Sequence, residues 1–329
     1  MEKLDKKTRK FGFKDKIAYA MGDFGCNMSF ALNGTITTFY TMYVGLSTEI
    51  MAILIILLKV WDGINDPIMG AILDKFKPKK GGSKFKPFIF WGAIALVVSG
   101  AMVFLPVQDA PTWLKIVVCI VGYLVWDTAY TVVNVPYGSM ANVITDVPSE
   151  RASLSMWRSI GAMVANLPIM ILLPIIMYKP LTYPDGTEVI LNDDTVSIIK
   201  GENVFIMALV MGVLGLFAFI VLLKGTQERV KPLEIDETTM QKQKVNYWKV
   251  IKSFGRNKAA IAMTVASIFQ LIMMNGLTVA MNAVYKDFFR LEGTQMSIFQ
   301  LVSYLPLIGV MPLIQPLVRK FGKKEATLI

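Results

Sequence analysis

Apolar residues gather in this chain in blocks of twenty or more. Segments 88–107 and 204–223 hold no charged residue at all. Twenty helical residues span about 30 Å, the hydrocarbon thickness of a bilayer. Of the 329 residues, 54% are hydrophobic with glycine left out, and mean hydropathy is +0.52. A soluble domain reaches only ~45–50% with glycine included. The strict alternation of a membrane β-barrel is absent. The pattern therefore predicts an all-α polytopic membrane protein.

Eight spans emerge, at about 17–43, 49–73, 88–107, 114–137, 154–178, 204–223, 259–285 and 297–318. Pro168 and Pro174 are expected to kink the fifth, and Pro306, Pro312 and Pro316 break the eighth. The loop 179–203 is hydrophilic, with a turn at Pro184-Asp185-Gly186. Residues 224–258 form the longest polar stretch, ending in an amphipathic piece near 247–254 that suits a membrane surface. The organisation is a six-helix half (1–223), a linker (224–258) and the start of a second half (259–329). The loop around Lys75-Phe76 resembles that around Lys320-Phe321, a weak internal repeat of the kind found in secondary transporters. A ninth span would begin where the chain stops.

The 34 Lys and Arg residues alternate between loops. With the N-terminus inside, 27 fall on inner segments and 5 on outer ones, while Lys59 and Arg158 lie within spans. The positive-inside rule then predicts a cytoplasmic N-terminus and linker in the cell membrane. Topology thus accounts for the net charge of +10, and no nucleic-acid partner is expected. The segment 1–16 is a basic tail, too polar at its end for a cleaved signal, and Asp15 within it carries no expected role. Cys26 and Cys119 lie in apolar spans as small packing residues. Histidine is absent, so proton chemistry would fall to carboxylates.

The stretch Lys59-Val60-Trp61-Asp62-Gly63-Ile64-Asn65-Asp66-Pro67-Ile68-Met69-Gly70 interrupts an apolar run with one cation, two acids and an amide. At 100° per residue Lys59, Asp62, Asp66 and Gly70 share a face, with Asn65 at its edge. Each ionisable group at membrane depth costs at least ~2.5 kcal/mol, so such groups mark function unless they form a structural interhelical pair. Lys59 offsets one acid and leaves the other to hold a cation or a proton. In the first span Asp23, Asn27, Gly34, Thr38 and Thr41 make a polar stripe, which suits a cavity wall or a helix interface. The fourth span places Asp127, Thr131 and Asn134 on one face beside Tyr130, and Arg158 sits one turn inside the fifth.

Gly22-Asp23-Phe24-Gly25-Cys26-Asn27, the 61–70 stretch, Gly82-Ser83-Lys84-Phe85-Lys86-Pro87-Phe88, Trp126 with Tyr130-Thr131, and Asn134-Val135-Pro136-Tyr137 together resemble the glycoside–pentoside–hexuronide:cation symporters, the family that includes the melibiose carrier. The resemblance implies the major facilitator fold of twelve helices, of which this chain reaches about eight. It also implies alternating-access symport of a sugar with Na⁺, Li⁺ or H⁺. It implies a cation site at Asp62, Asn65, Asp66 and Thr131, with Lys59 where the family carrier has an arginine. Arg158 matches an arginine near the sugar. Asn27 and Asn134 stand where that carrier has sugar-binding aspartates, and Gly138 stands at its stacking tryptophan. Amides bond hydroxyls more weakly than carboxylates but in both directions. They suit a neutral pentoside or an anionic hexuronide better than a simple α-galactoside.

The reading is a cation-coupled sugar symporter, probably monomeric in form only by family expectation, with no cofactor beyond the coupling ion. The sugar site is expected between halves at Asp23, Asn27, Asp127, Tyr130, Asn134 and Arg158. Three rivals differ in class. A carrier of this fold for a lysolipid or peptide would show a fatty cavity. An inactive remnant would lack the missing spans. A membrane enzyme would need a catalytic constellation, and no histidine or Cys–His pair is present.

Overall fold

The computed structural model describes residues 9–76, 78, 82–180, 182–185, 187, 190–191, 194–195, 197–230, 252–253, 255–283 (without 254), 298, 302 and 306. Most of the linker and nearly all of the eighth span lie outside the described residues. The chain divides into two compact units, the first ending at Lys231 and the second starting at Pro232.

In the first unit six long helices follow one another. They are α1 (Phe13–Phe30), α2 (Thr48–Lys75), α3 (Lys86–Val103), α4 (Thr112–Ile144), α5 (Pro148–Met177) and α6 (Gly201–Gly225). α3, α4 and α6 are long and apolar enough to cross a membrane by length and composition. α2 is longer than α3, but it carries Lys59, Asp62 and Asp66. In the second unit α7 (Lys258–Ala283) is described. It opens with Asn257 Oδ1 accepting the Ala260 N–H at 3.1 Å, an N-cap.

Several boundaries differ from expectation. The first span is not one α-helix. After Phe30 the chain passes through a 3₁₀ turn at Asn33–Thr35, an α turn at Ile36–Thr38 and a π turn at Phe39–Tyr43. Gly45, at φ 78°, then turns it towards α2. Lys115 Nζ donates to the Val44 carbonyl at 2.6 Å and satisfies the loosened end. α4 runs on through Pro136 to Ile144, because neighbouring helices stabilise a helix across an internal proline. α5 begins at Pro148, where a proline loses nothing because the first turn's N–H groups have no partner. The 179–203 loop holds two short antiparallel ribbons. β1 (Tyr178–Pro180) pairs with β4 (Ser197–Ile199), and β2 (Ile190–Leu191) pairs with β3 (Asp194–Thr195).

α1 packs between α5 and α6, α3 between α4 and α6, and α2 lies along α4. Small residues permit the close crossings. A Cβ at Gly161 would stand 2.2 Å from the Ala20 carbonyl oxygen, and one at Gly22 would stand 2.2 Å from the Tyr137 ring. The α1–α4 crossing is closed by a reciprocal pair. Tyr137 OH donates to the Tyr19 carbonyl at 2.8 Å, and Tyr19 OH donates to the Tyr137 carbonyl at 3.3 Å. Exposed apolar stripes, such as Trp113, Val117, Val121 and Val125 on α4, suit hydrocarbon.

The end of the bundle where the chain enters is tied by ion pairs. Asp15 is fully buried and lies between Arg9 (2.8 Å) and Arg229 (2.9 Å). It is the third residue of α1 and also accepts the Gly12 N–H at 3.2 Å. Arg229 donates to the carbonyls of Arg9 at 2.8 Å and Ile144 at 3.3 Å. Lys86 caps the end of α6 at the carbonyls of Leu223 and Thr226, each at 2.8 Å. Ser83 bonds Glu228 in the same strap. The strap 225–230 thereby joins α1, α3, α4 and α6. Asp15 is not a tail residue; its partner Arg229 lies 214 positions away, beyond any local sequence signal.

Candidate functional site

Helix α4 carries two polar stripes. Tyr123, Asp127 and Thr131, spaced by four, face α2. Tyr130, Asn134 and Tyr137, spaced by four and three, turn towards α1 and α5. Each stripe meets complementary groups on its neighbours.

Between α2 and α4, Lys59 Nζ donates to Asp62 Oδ2 at 2.7 Å and to Tyr123 OH at 3.0 Å. Tyr123 OH donates to the same Asp62 oxygen at 3.3 Å. One turn along, buried Asn65 uses both amide hydrogens, on Asp127 Oδ2 at 2.9 Å and on Thr131 Oγ1 at 3.0 Å. Thr131 passes its own hydrogen to Asp66 Oδ1 at 3.0 Å. Donors therefore run outward from Asn65 to a carboxylate at each end. Asp62 Oδ1 is buried without a hydrogen-bond partner. Pro67 brings no N–H, so the Gly63 carbonyl lacks its usual intrahelical donor. The set offers carboxylate, amide, hydroxyl and carbonyl oxygens, the donors that a hard cation takes. Among the described residues no three His, Cys, Asp or Glu are grouped as for a metal ion. The oxygens here are of mixed type, which suits a weakly held monovalent ion better than a fixed metal centre.

Between α1, α4 and α5, Arg158 Nε donates to Asp23 Oδ1 at 2.8 Å. Its guanidinium lies over the Tyr137 ring, 5.1 Å from the centroid. Asn27 Nδ2 donates to the Asp23 carbonyl at 2.7 Å and lies 3.4 Å from Asp23 Oδ2. Asn166 Nδ2 donates to Asn27 Oδ1 at 3.0 Å. Asn134 Oδ1 faces the Cys26 thiol at 4.0 Å. A Cβ on Gly138 would stand 3.8 Å from an Arg158 terminal nitrogen, so the space beside that nitrogen is open.

An aromatic file joins the two groups. Tyr123 meets Trp126 (5.6 Å), Trp126 stacks on Phe30 (5.6 Å), and Phe30 meets Tyr130 (5.1 Å). The structure thus brings Lys59, Asp62, Asn65, Asp66 and Thr131 together on one side of α4, and Asp23, Asn27, Asn134 and Arg158 on the other. Tyr130 stands between them. Asp127, expected with the sugar residues, bonds Asn65 on the α2 side. Lys59, Asp62, Asp66 and Asp127 then carry a formal charge of −2, not the −1 of the first three. Sequence reasoning passed over Tyr123 and Asn166. The first was legible as the residue four before Asp127; the second lies on the same side of its helix as Arg158, two turns on.

A family model for MFS/sugar transport proteins matches residues 18–329, and the chain belongs to that family. It is a multi-pass membrane protein. Among similar proteins, the putative glycoside/cation symporter YagG of Escherichia coli is 38% identical over 157 residues, covering 47% of this chain and 34% of that protein. The isoprimeverose transporter of Lactiplantibacillus pentosus is 28% identical over 247 residues, covering 74% and 47%. A putative sulfoquinovose importer of Salmonella typhimurium is 26% identical over 338 residues, covering 100% and 65%. The chain spans at most 65% of the length of these three relatives.

Proposed function

We propose that this protein carries out symport of a sugar with Na⁺ or H⁺ across the cell membrane, with its N-terminus in the cytoplasm, and is not an enzyme. The observation that carries the reading is the sharing of α4 by two polar groups. The α2 side supplies Asp62, Asn65, Asp66 and Thr131 for the cation, with Lys59 and Tyr123 holding Asp62 in place. The α1–α5 side supplies Asp23, Asn27, Asn134 and Arg158 for hydroxyls. A shift of α4 on filling one side is felt on the other, which is the physical requirement for coupling. Asp127 serves the cation side, bonded to Asn65. Names of relatives that denote a glycoside, isoprimeverose or sulfoquinovose support a sugar, and the mixed polar lining speaks against a lysolipid.

Arg158 and Asp23 neutralise one another, and amides supply the remaining hydrogen bonds. A sugar without a need for carboxylate recognition fits best. An uncharged pentoside or a hexuronide is therefore expected to compete better than melibiose for uptake by the protein as its gene encodes it. Melibiose as the best competitor in a panel of glycosides would contradict the assignment of Asn27 and Asn134.

A further inference from the structure

Asn166 is an exposed amide on a helix that otherwise sorts its faces by polarity. The exposed apolar residues of α5, Val164, Leu172 and Ile175, lie roughly 120–180° around the helix from it. Ser155 and Ser159, also exposed, lie within about 20° of it. Their hydroxyls turn back onto the carbonyls of Arg151 and Ser155, at 3.2 and 3.3 Å. This face of α5 is polar along its length, and on it Asn166 keeps unused hydrogen-bonding capacity.

Its orientation is set from α1. One Nδ2 hydrogen goes to Asn27 Oδ1 at 3.0 Å, and Asn27 is itself held by the Asp23 carbonyl at 2.7 Å. What Asn166 then presents outward is one acceptor, Oδ1, and one N–H. A sugar hydroxyl both donates and accepts, so this pair of groups matches it without any charge. Arg158 lies eight residues earlier, about 12 Å along the axis. Ala162 stands midway between them, and its single methyl leaves the interval uncrowded. That interval is longer than one sugar ring and close to the length of two.

We propose that Asn166 is a sugar-contacting, specificity-determining residue, which reads hydroxyls on the second ring of a glycoside whose first ring lies against Arg158. The proposal rests on the symport reading above. Its test is uptake by vesicles carrying the protein as its gene encodes it, with matched single- and two-ring sugars: xylose and xylobiose, glucose and maltose, galactose and melibiose. Asn166→Leu should raise KM for the transported two-ring sugar about tenfold, the effect of about 1.4 kcal/mol. Vmax and the KM of the matching single-ring sugar should stay within twofold. Asn166→Ser, which loses the reach of the amide with little risk to folding, should do the same. A residue that merely braces Asn27 would shift both KM values together and lower the thermal midpoint. That result, or an unchanged KM in both variants, overturns the proposal while leaving the symport reading intact. A wild-type protein that moves none of these sugars overturns both.

Discussion

Asp66→Asn is expected to abolish cation-driven sugar accumulation while leaving exchange of sugar down its own gradient. The amide is nearly isosteric and can still accept the Thr131 hydroxyl through its oxygen, a bond of 3.0 Å in the wild type. What disappears is one negative charge. A charged site at membrane depth is costly, and filling it lowers the barrier to movement between inward and outward states. With Asp66 permanently neutral, movement no longer requires the cation, so the two fluxes separate. A tenfold cation gradient is worth about 1.4 kcal/mol, enough for roughly tenfold accumulation at one ion per sugar. The variant should fall to a ratio of about one. Asp62→Asn should behave likewise, with the added loss of the Lys59 partner at 2.7 Å. Accumulation at the wild-type ratio by Asp66→Asn would contradict this mechanism.

Asp15→Asn is expected to destabilise the first unit by about 2–4 kcal/mol. Removing one partner of a buried ion pair typically costs ~3–5 kcal/mol. The figure is reduced here because Arg9 is 37% exposed and regains water when released. Arg229, at 15%, does not. The loss also frees the strap 225–230 from α1 at the end of α6. In a protein of this size that corresponds to a fall in thermal midpoint of roughly 5–10 °C. Arg229→Gln should produce a similar fall, and the double variant should fall less than the sum, since the two residues share one interaction. A midpoint within 1 °C of wild type for Asp15→Asn would show that the buried pair contributes nothing; about 1 °C is a small fraction of that expected shift.

The spans were legible because twenty apolar residues leave the chain few choices, and the α2 stripe was legible because 100° per residue places Lys59, Asp62 and Asp66 on one face. Pairing between helices was not. That Asn65 meets Asp127, rather than Asp127 joining Asp23, depends on how α4 is rotated between its neighbours. Rotation is decided by contacts such as Gly22 on Tyr137 and Gly161 on Ala20, which no periodicity reveals. The interruption after Phe30 had a faint sign in Asn33-Gly34, a turn-forming pair, hidden by the apolar residues around it. Asp15 had no sign at all: its burial arises from arginines at both ends of the unit. Tyr123 was hidden differently, since a tyrosine in an apolar run resembles packing until its hydroxyl is seen between Lys59 and Asp62.

Coupling is the central claim, and it is tested most directly by sugar uptake into vesicles against an imposed Na⁺ or H⁺ gradient. The protein, as its gene encodes it, should concentrate its sugar inside when one of the two gradients points inward. The concentration should collapse to equilibrium when an ionophore for that ion is added. Uptake that stops at equal concentrations under both gradients, or that an ionophore leaves unchanged, would contradict a cation site at Asp62, Asn65, Asp66 and Thr131.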